Sequence, residues 1–181
     1  TKAQTLDTTK EFFVYSASSS DSTKATVAAD GDAVPGRYSM TINTLASAER
    51  TYSDSLGNSA TTALNISGTL GITVGSGTQV EIELEANDTA TTIASRINAS
   101  GADVTAGLLF DGTNYYVQVS GNSTGASNAI TFDETGLIQE ENALNFVRAA
   151  NQKQAATDSS ITIDTFTITR SSNTINDVIP G

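Results

Sequence analysis

Val80-Glu81-Ile82-Glu83-Leu84-Glu85-Ala86-Asn87-Asp88-Thr89-Ala90-Thr91-Thr92-Ile93-Ala94-Ser95-Arg96-Ile97-Asn98-Ala99-Ser100-Gly101 changes its apolar period part-way along, from two residues to between three and four. In its first six residues Val80, Ile82 and Leu84 alternate with Glu81, Glu83 and Glu85, the pattern of a strand with one face on a core and one in water. From residue 89 to 100, Ala90, Ile93, Ala94 and Ile97 stand at i, i+3, i+4 and i+7, which predicts a helix whose apolar stripe covers a sheet. Asn87 or Asp88 is the expected N-cap, and Gly101 suits the C-terminal end.

Outward from this unit the chain reads as strands and turns. Downstream, residues 104–110 and 115–119 form a hairpin around Asp111-Gly112-Thr113-Asn114, and Ile130-Thr131-Phe132 reads as a short strand. Leu144-Asn145-Phe146-Val147 alternates again. The chain closes on a hairpin of residues 160–163 and 166–169 that turns at Asp164-Thr165. Upstream, Leu64-Asn65-Ile66 and the alternating Leu70, Ile72 and Val74 precede a turn at Gly75-Ser76-Gly77. A half-buried strand is expected at 38–43, where Tyr38, Met40 and Ile42 alternate with polar neighbours. Further strands are expected near Phe12-Phe13-Val14-Tyr15 and at 25–29, the latter ended by Asp30-Gly31-Asp32. The small polar residues 53–62 read as a long loop or domain crossing, with a second crossing near residue 140.

Composition agrees with a thin-cored β protein. Apolar residues are 38% of the 181, Ser and Thr exceed a quarter, and both Val/Ile/Thr strands and Gly/Asn/Asp turns are well supplied. The net charge of −11, from 9 basic and 20 acidic residues, opposes nucleic-acid binding, which needs clustered Lys and Arg. The absence of Cys excludes disulfides, thiolate nucleophiles and Cys-based zinc sites. No apolar run is long enough to span a membrane as a helix, and no signal peptide opens the chain. Starting at Thr1 rather than Met and stopping at Pro180-Gly181, the chain reads as a fragment.

Candidate chemistry is sparse. Gly121-Asn122-Ser123-Thr124-Gly125 matches the G-x-S-x-G pattern of a nucleophilic serine, but there is no His to act as its base, and residues 126–130 do not read as a helix. Glu81, Glu83 and Glu85 are explained by strand alternation. Asp30-Gly31-Asp32 and Asp111-Gly112-Thr113-Asn114 lack the alternating ligands and closing glutamate of a calcium loop. Four N-x-S/T matches at Asn65, Asn87, Asn98 and Asn122 are what chance gives in so Ser/Thr-rich a chain. No catalytic, cofactor-binding or metal residue is assigned, and no enzyme activity is expected.

Three stretches carry a family likeness. Phe13-Val14-Tyr15-Ser16-Ala17-Ser18-Ser19-Ser20-Asp21, Ala25-Thr26-Val27, and Gly36-Arg37-Tyr38-Ser39-Met40-Thr41-Ile42 with Leu45-Ala46 form the first. They resemble the N-terminal region of the bacterial flagellar filament-capping family (hook-associated protein 2), where a serine tract precedes G-x-Y-x-I and then L-A. The strand, helix and hairpin of residues 80–119, continuing to Ala126, resemble an insertion motif that this family shares with flagellins. Arg170-Ser171-Ser172-Asn173-Thr174-Ile175-Asn176-Asp177-Val178-Ile179-Pro180-Gly181 resembles the capping family more specifically. Thr165 departs from it, standing where the family commonly has Gly, so a wider or bulged closing hairpin is expected.

The resemblance implies a mainly β, β-rich α+β fold of two small antiparallel domains. Residues 1–52 with 141–181 would form the base of a cap plate. Residues 53–140, with the one short helix, would be inserted in it as the distal domain. Ile161, Ile163, Phe166 and Ile168 are then expected to pair with or pack on the strand near 38–42. It further implies coiled-coil termini outside this sequence, a pentameric ring at the extracellular filament tip, and export by the flagellar route without a cleaved signal peptide. Partners would be further copies and flagellin, whose folding and insertion the cap assists, with a host surface as another candidate contact and neither nucleic acid nor membrane insertion. The fragment alone is expected to be monomeric or weakly associated. A surface adhesin or ligand-binding β domain, or the outer variable region of a flagellin, are the alternative readings.

Overall fold

A computed structural model describes residues 15–139 and 143–180. The expected strand near residues 12–15 and the crossing near 140 fall largely outside them. The chain divides into two compact units, Thr1–Ser39 with Thr174–Gly181, and Met40–Asn173.

The described residues of the first unit contain no strand or helix. Turns organise it instead. The Thr23 N–H and hydroxyl both donate to Asp21 Oδ1, and the Asp32 N–H donates to Asp30 Oδ1 at 2.8 Å. The strand expected at 25–29 is absent, because alternation there offers only Ala25, Val27 and Ala29, and Val27 itself stays 46% exposed. Too little apolar area is buried to fix an extended segment.

Among the described residues, the second unit holds ten strands and one helix: β1 (Met40–Thr44), β2 (Arg50–Tyr52), β3 (Ser67–Val74), β4 (Val80–Leu84), α1 (Ala90–Ala99), β5 (Val104–Phe110), β6 (Tyr115–Gly121), β7 (Ile130–Ile138), β8 (Gln152–Gln154), β9 (Ser159–Ile163) and β10 (Phe166–Arg170). They form three antiparallel sheets, ordered β1-β9-β10, β5-β6-β2-β8 and β4-β3-β7. The expected class, mainly β with one short helix, is the observed one.

One core joins the two larger sheets to the helix. It contains Leu70, Ile72, Ile82, Leu84, Ile93, Ile97, Val117, Val119 and Phe132. Alternation places Ile82 and Leu84 inward with Glu81 and Glu83 in solvent, and the helical spacing buries Ala90, Ile93, Ala94 and Ile97. The helix starts one residue later than the cap expectation. Thr89 is the N-cap, forming a reciprocal capping box with Thr92, and Gly101 follows Ser100 at φ +83°. Asp88 is drawn elsewhere: it is 4% exposed, accepts the Glu85 N–H at 2.7 Å, and pairs with Arg96 Nε at 2.9 Å.

Other expectations shift in the same local way. Residues 64–66 lead into β3 with Asn65 at φ +56°, and Leu64 and Ile66 are buried. The short strand at 130–132 extends to nine residues through an irregularity opposite Thr69 and Gly71, and β2 and β8 complete a sheet that alternation alone did not show.

In the smallest sheet Met40 lies opposite Ile163 and Ile42 opposite Ile161, the pairing expected of the closing hairpin, while β10 pairs with β9 alone. Tyr38 lies outside β1. Met40 and Ile42 are 41% and 37% exposed, not half-buried in a core, because shelter goes to the middle strand's Ile161 and Ile163, which are flanked on both sides. The closing turn is tight. Ile163 faces Phe166 across two residues, with Asp164 at φ +53°, so Asp164 supplies the positive φ and no wider loop is needed.

Candidate functional site

The acidic residues singled out in the sequence do not converge. Glu81, Glu83 and Glu85 are exposed; Glu83 accepts the Thr69 hydroxyl at 2.8 Å, and Glu85 pairs with Arg96 at 3.4 Å. Ser123 lies in an exposed loop followed by a single 3-10 turn at Ala126–Asn128, so nothing presents its hydroxyl as a nucleophile elbow would. Asp111 Oδ1 accepts the N–H groups of Thr113 and Asn114, both at 2.8 Å, which makes it a turn residue. Among the described residues no three His, Cys, Asp or Glu side chains group as metal ligands would.

What the fold does assemble is a polar junction around the end of β10. Asn173 brackets the backbone of Ala46, its Oδ1 accepting the N–H at 2.7 Å and its Nδ2 donating to the carbonyl at 2.9 Å. Ser159, 1% exposed, shares its hydroxyl between the carbonyls of Arg170 and Ser172 at 2.9 and 2.8 Å. The Thr124 hydroxyl donates to the Ser171 carbonyl at 2.7 Å, the Gly125 N–H donates to the Ser47 carbonyl, and the Ala126 N–H donates to Asp158 Oδ1 at 2.7 Å. Four segments distant in sequence are tied here by hydrogen bonds largely made to backbone groups. Such a lattice positions elements and has no reacting group.

A second polar cluster holds the segment before β8. Asp54 accepts Nδ2 of Asn145 and of Asn151, both at 2.8 Å, and pairs with Arg148 at 2.7 Å. Glu134 Oε1 accepts the Phe146 N–H at 2.9 Å, while Leu144 and Phe146 are buried beneath. These partners lie 91 and 97 positions apart in two cases, beyond what local patterning reveals. Beside this segment a hollow of about 300 Å³ is lined by Glu49, Thr51, Phe132, Phe146 and Arg148. Glu49 is 2% exposed, but its two carboxylate oxygens are taken by the Thr51 hydroxyl and the Ile130 N–H, so it joins β2 to β7.

The two carboxyls of this cluster shift oppositely. Burial pushes Asp54 up, but the amides of Asn151 and Asn145 and the charge of Arg148 outweigh it and hold Asp54 below the ordinary range. Burial pushes Glu134 up, the Phe146 and Val147 N–H groups oppose this, and the Asp54 charge adds to the rise. A depressed Asp54 contributes stability above its unfolded pKa of about 3.9, lost as pH falls through its folded value. A raised Glu134 contributes stability below its unfolded pKa of about 4.3, lost as pH rises through its folded value. Glu134→Gln keeps an oxygen for Phe146 and removes the charge. It is expected to be at least as stable as the parent at neutral pH and to lose that advantage on acidification, as urea midpoints at the two pH values will show; an advantage that grew on acidification would contradict the assignment.

The region through Ala46 and Ser47 is also where similarity to known proteins is plainest. Residues 1–49 match the family model described as flagellar hook-associated protein 2 N-terminus. The chain is 25% identical to the Escherichia coli flagellar hook-associated protein 2 over 185 aligned positions, covering 97% of this chain and 39% of that protein. By sequence and by fold, the chain is similar to flagellar cap proteins. The D2-D3 domains of the E. coli flagellar cap protein superpose with a TM-score of 0.70 at 26% identity, covering 82% of this chain and 80% of theirs. The corresponding Serratia marcescens cap-protein domains give 0.69 at 25%, covering 81% and 83%. The chain spans about two fifths of the length of its curated cap-protein relative.

Proposed function

We propose that this chain is the β-rich part of a flagellar filament-capping protein: a structural assembly unit, without enzymatic activity, at the extracellular distal tip. The observation that carries this is the agreement along nearly the whole chain with a hook-associated protein 2, together with a matching fold over four fifths of a two-domain cap fragment. In this reading it works with further copies of itself, in a pentameric ring, and with flagellin, whose folding and insertion beneath the ring it assists. It reaches the tip by the flagellar export route. Residues 1–52 with 141–181 act as the base of the plate and residues 53–140 as its inserted distal domain. The pairing of β1 with β9, from opposite ends of the second unit, supports a discontinuous base. A polar hydrogen-bonded junction suits a part whose work is done by binding energy and shape.

Deleting the parent gene is expected to release unpolymerised flagellin into the medium and leave truncated filaments by electron microscopy. Normal filaments with lost surface attachment would overturn the reading in favour of an adhesin.

A further inference from the structure

The outer edge of β5 is half closed and half open. On β6, Gly121 donates to the Glu49 carbonyl, the Val117 carbonyl accepts from Ser53, and Tyr115 donates to Gly57, so its odd-numbered residues turn their backbone groups toward the β2 side. Its even-numbered residues therefore face β5, where register sets them opposite Thr105, Gly107 and Leu109. The even-numbered residues of β5 point their N–H and C=O groups outward. At Ala106 that edge is plugged: the Asn98 side chain accepts the N–H at 2.7 Å and donates to the carbonyl at 2.8 Å, as a neighbouring strand would. Val104 donates to Ala102. Among the described residues nothing comparable meets Leu108 or Phe110.

This open half is also apolar. Leu108, Leu109 and Phe110 are 38%, 44% and 48% exposed, and β5 carries no charge or proline in seven residues. Charge guards three other edges, β4 by Glu81 and Glu83, β8 by Lys153 and β10 by Arg170, whereas the β1 edge is uncharged but interrupted by a bulge between Ile42 and Thr44.

We propose that this edge pairs antiparallel with the same edge of a second copy, about a two-fold axis through Leu109. The geometry is self-complementary. Placing Leu108 opposite Phe110 of the partner lets each N–H meet the other's carbonyl, and the two-fold repeats the exchange, so all four outward groups on each edge are satisfied at once. Leu109 then faces its own copy in a close, non-hydrogen-bonded pair, with apolar neighbours on both sides. The strand itself is neutral, so the net charge of −11 per chain opposes approach only at long range, and association strengthens with salt. Three residues a side make a small interface, so the pairing is weak and reversible.

The chain has no cysteine, which allows a clean test. Leu109→Cys places two thiols across the axis at a separation suited to a disulfide. Under mild oxidation it is expected to give covalent dimer at least about tenfold faster than Ser76→Cys, an exposed control on another turn, because preassociation replaces random collision. Adding Leu108→Pro removes an outward N–H that β6 does not use, and is expected to return the rate to that of the control. Equal rates for the two cysteine variants, or no effect of Leu108→Pro in a chain that keeps its far-UV spectrum, would overturn the proposal. Should Leu108→Pro fail to fold, amide exchange on the unaltered chain decides. Leu108 and Phe110 are expected to gain protection with concentration while Gly107 and Leu109, already bonded to β6, do not change. Protection that appears only when an unstructured apolar peptide is added would assign the edge to a different chain.

Discussion

Gly125→Ala is expected to destabilise the protein by about 3 kcal/mol or more, combining backbone strain with overpacking. Gly125 sits at φ +105° and ψ 142°, a region that only glycine occupies readily, so any L side chain carries roughly 1–3 kcal/mol of strain there. Space compounds the strain. A Cβ added at Gly125 would lie 2.5 Å from Cβ of Ser171 and 2.9 Å from its Cα and carbonyl oxygen, so main chain as well as side chain must move. The Ser171 carbonyl accepts from Thr124, and its neighbours Arg170 and Ser172 are both fixed by Ser159, so relief would break the junction's hydrogen bonds. Gly112 isolates the first term: it has φ +99° with nothing near its would-be Cβ. Urea denaturation of Gly112→Ala and Gly125→Ala should therefore show the second losing at least twice as much. Equal losses would mean that the junction yields and does not hold the terminal tract in place.

The legibility of this chain follows the range of the interactions. The strand–helix–hairpin of residues 80–121 was readable because each element announces itself locally: alternation in β4, heptad-like spacing in α1, and Asp111 closing a turn on its own backbone. β2 and β8 were not readable, since Arg50-Thr51-Tyr52 and Gln152-Lys153-Gln154 carry no alternating apolar pattern; they are strands because a sheet is already there to pair with. The exposure of β1 departs from its alternating pattern for a related reason. Alternation says which residues share a face and not whether that face is covered. The terminal Arg170-Ser171-Ser172-Asn173 was legible as a family likeness long before its physical role, because that role depends on Ala46, Thr124 and Ser159, three segments it meets only in the fold.

Phe146→Ala is expected to cost about 3–5 kcal/mol, a large share of the roughly 5–15 kcal/mol that stabilises a typical domain. Phe146 belongs to an irregular segment, and exposed loops usually tolerate such changes. This one is part of the core. Phe146 is 3% exposed, its ring stacks on Phe132 at 4.7 Å, and Leu144 two residues earlier is fully buried. The backbone between them cannot easily collapse into the space left. Asp54 donates its N–H to the Leu144 carbonyl and accepts from Asn145 and Asn151, while the Phe146 N–H is held by Glu134. A pinned backbone keeps the cavity open, which places the loss toward the upper end of the range for Phe→Ala changes. Arg148→Ala is the informative comparison. Its guanidinium reaches Asp54 at 2.7 Å but is 57% exposed, so its loss should cost about 1 kcal/mol or less. If the two variants proved equally destabilised in urea, the segment would be held by charge. A Phe146→Ala loss several times that of Arg148→Ala would establish that apolar burial fastens it, with the polar contacts around Asp54 and Glu134 setting its path.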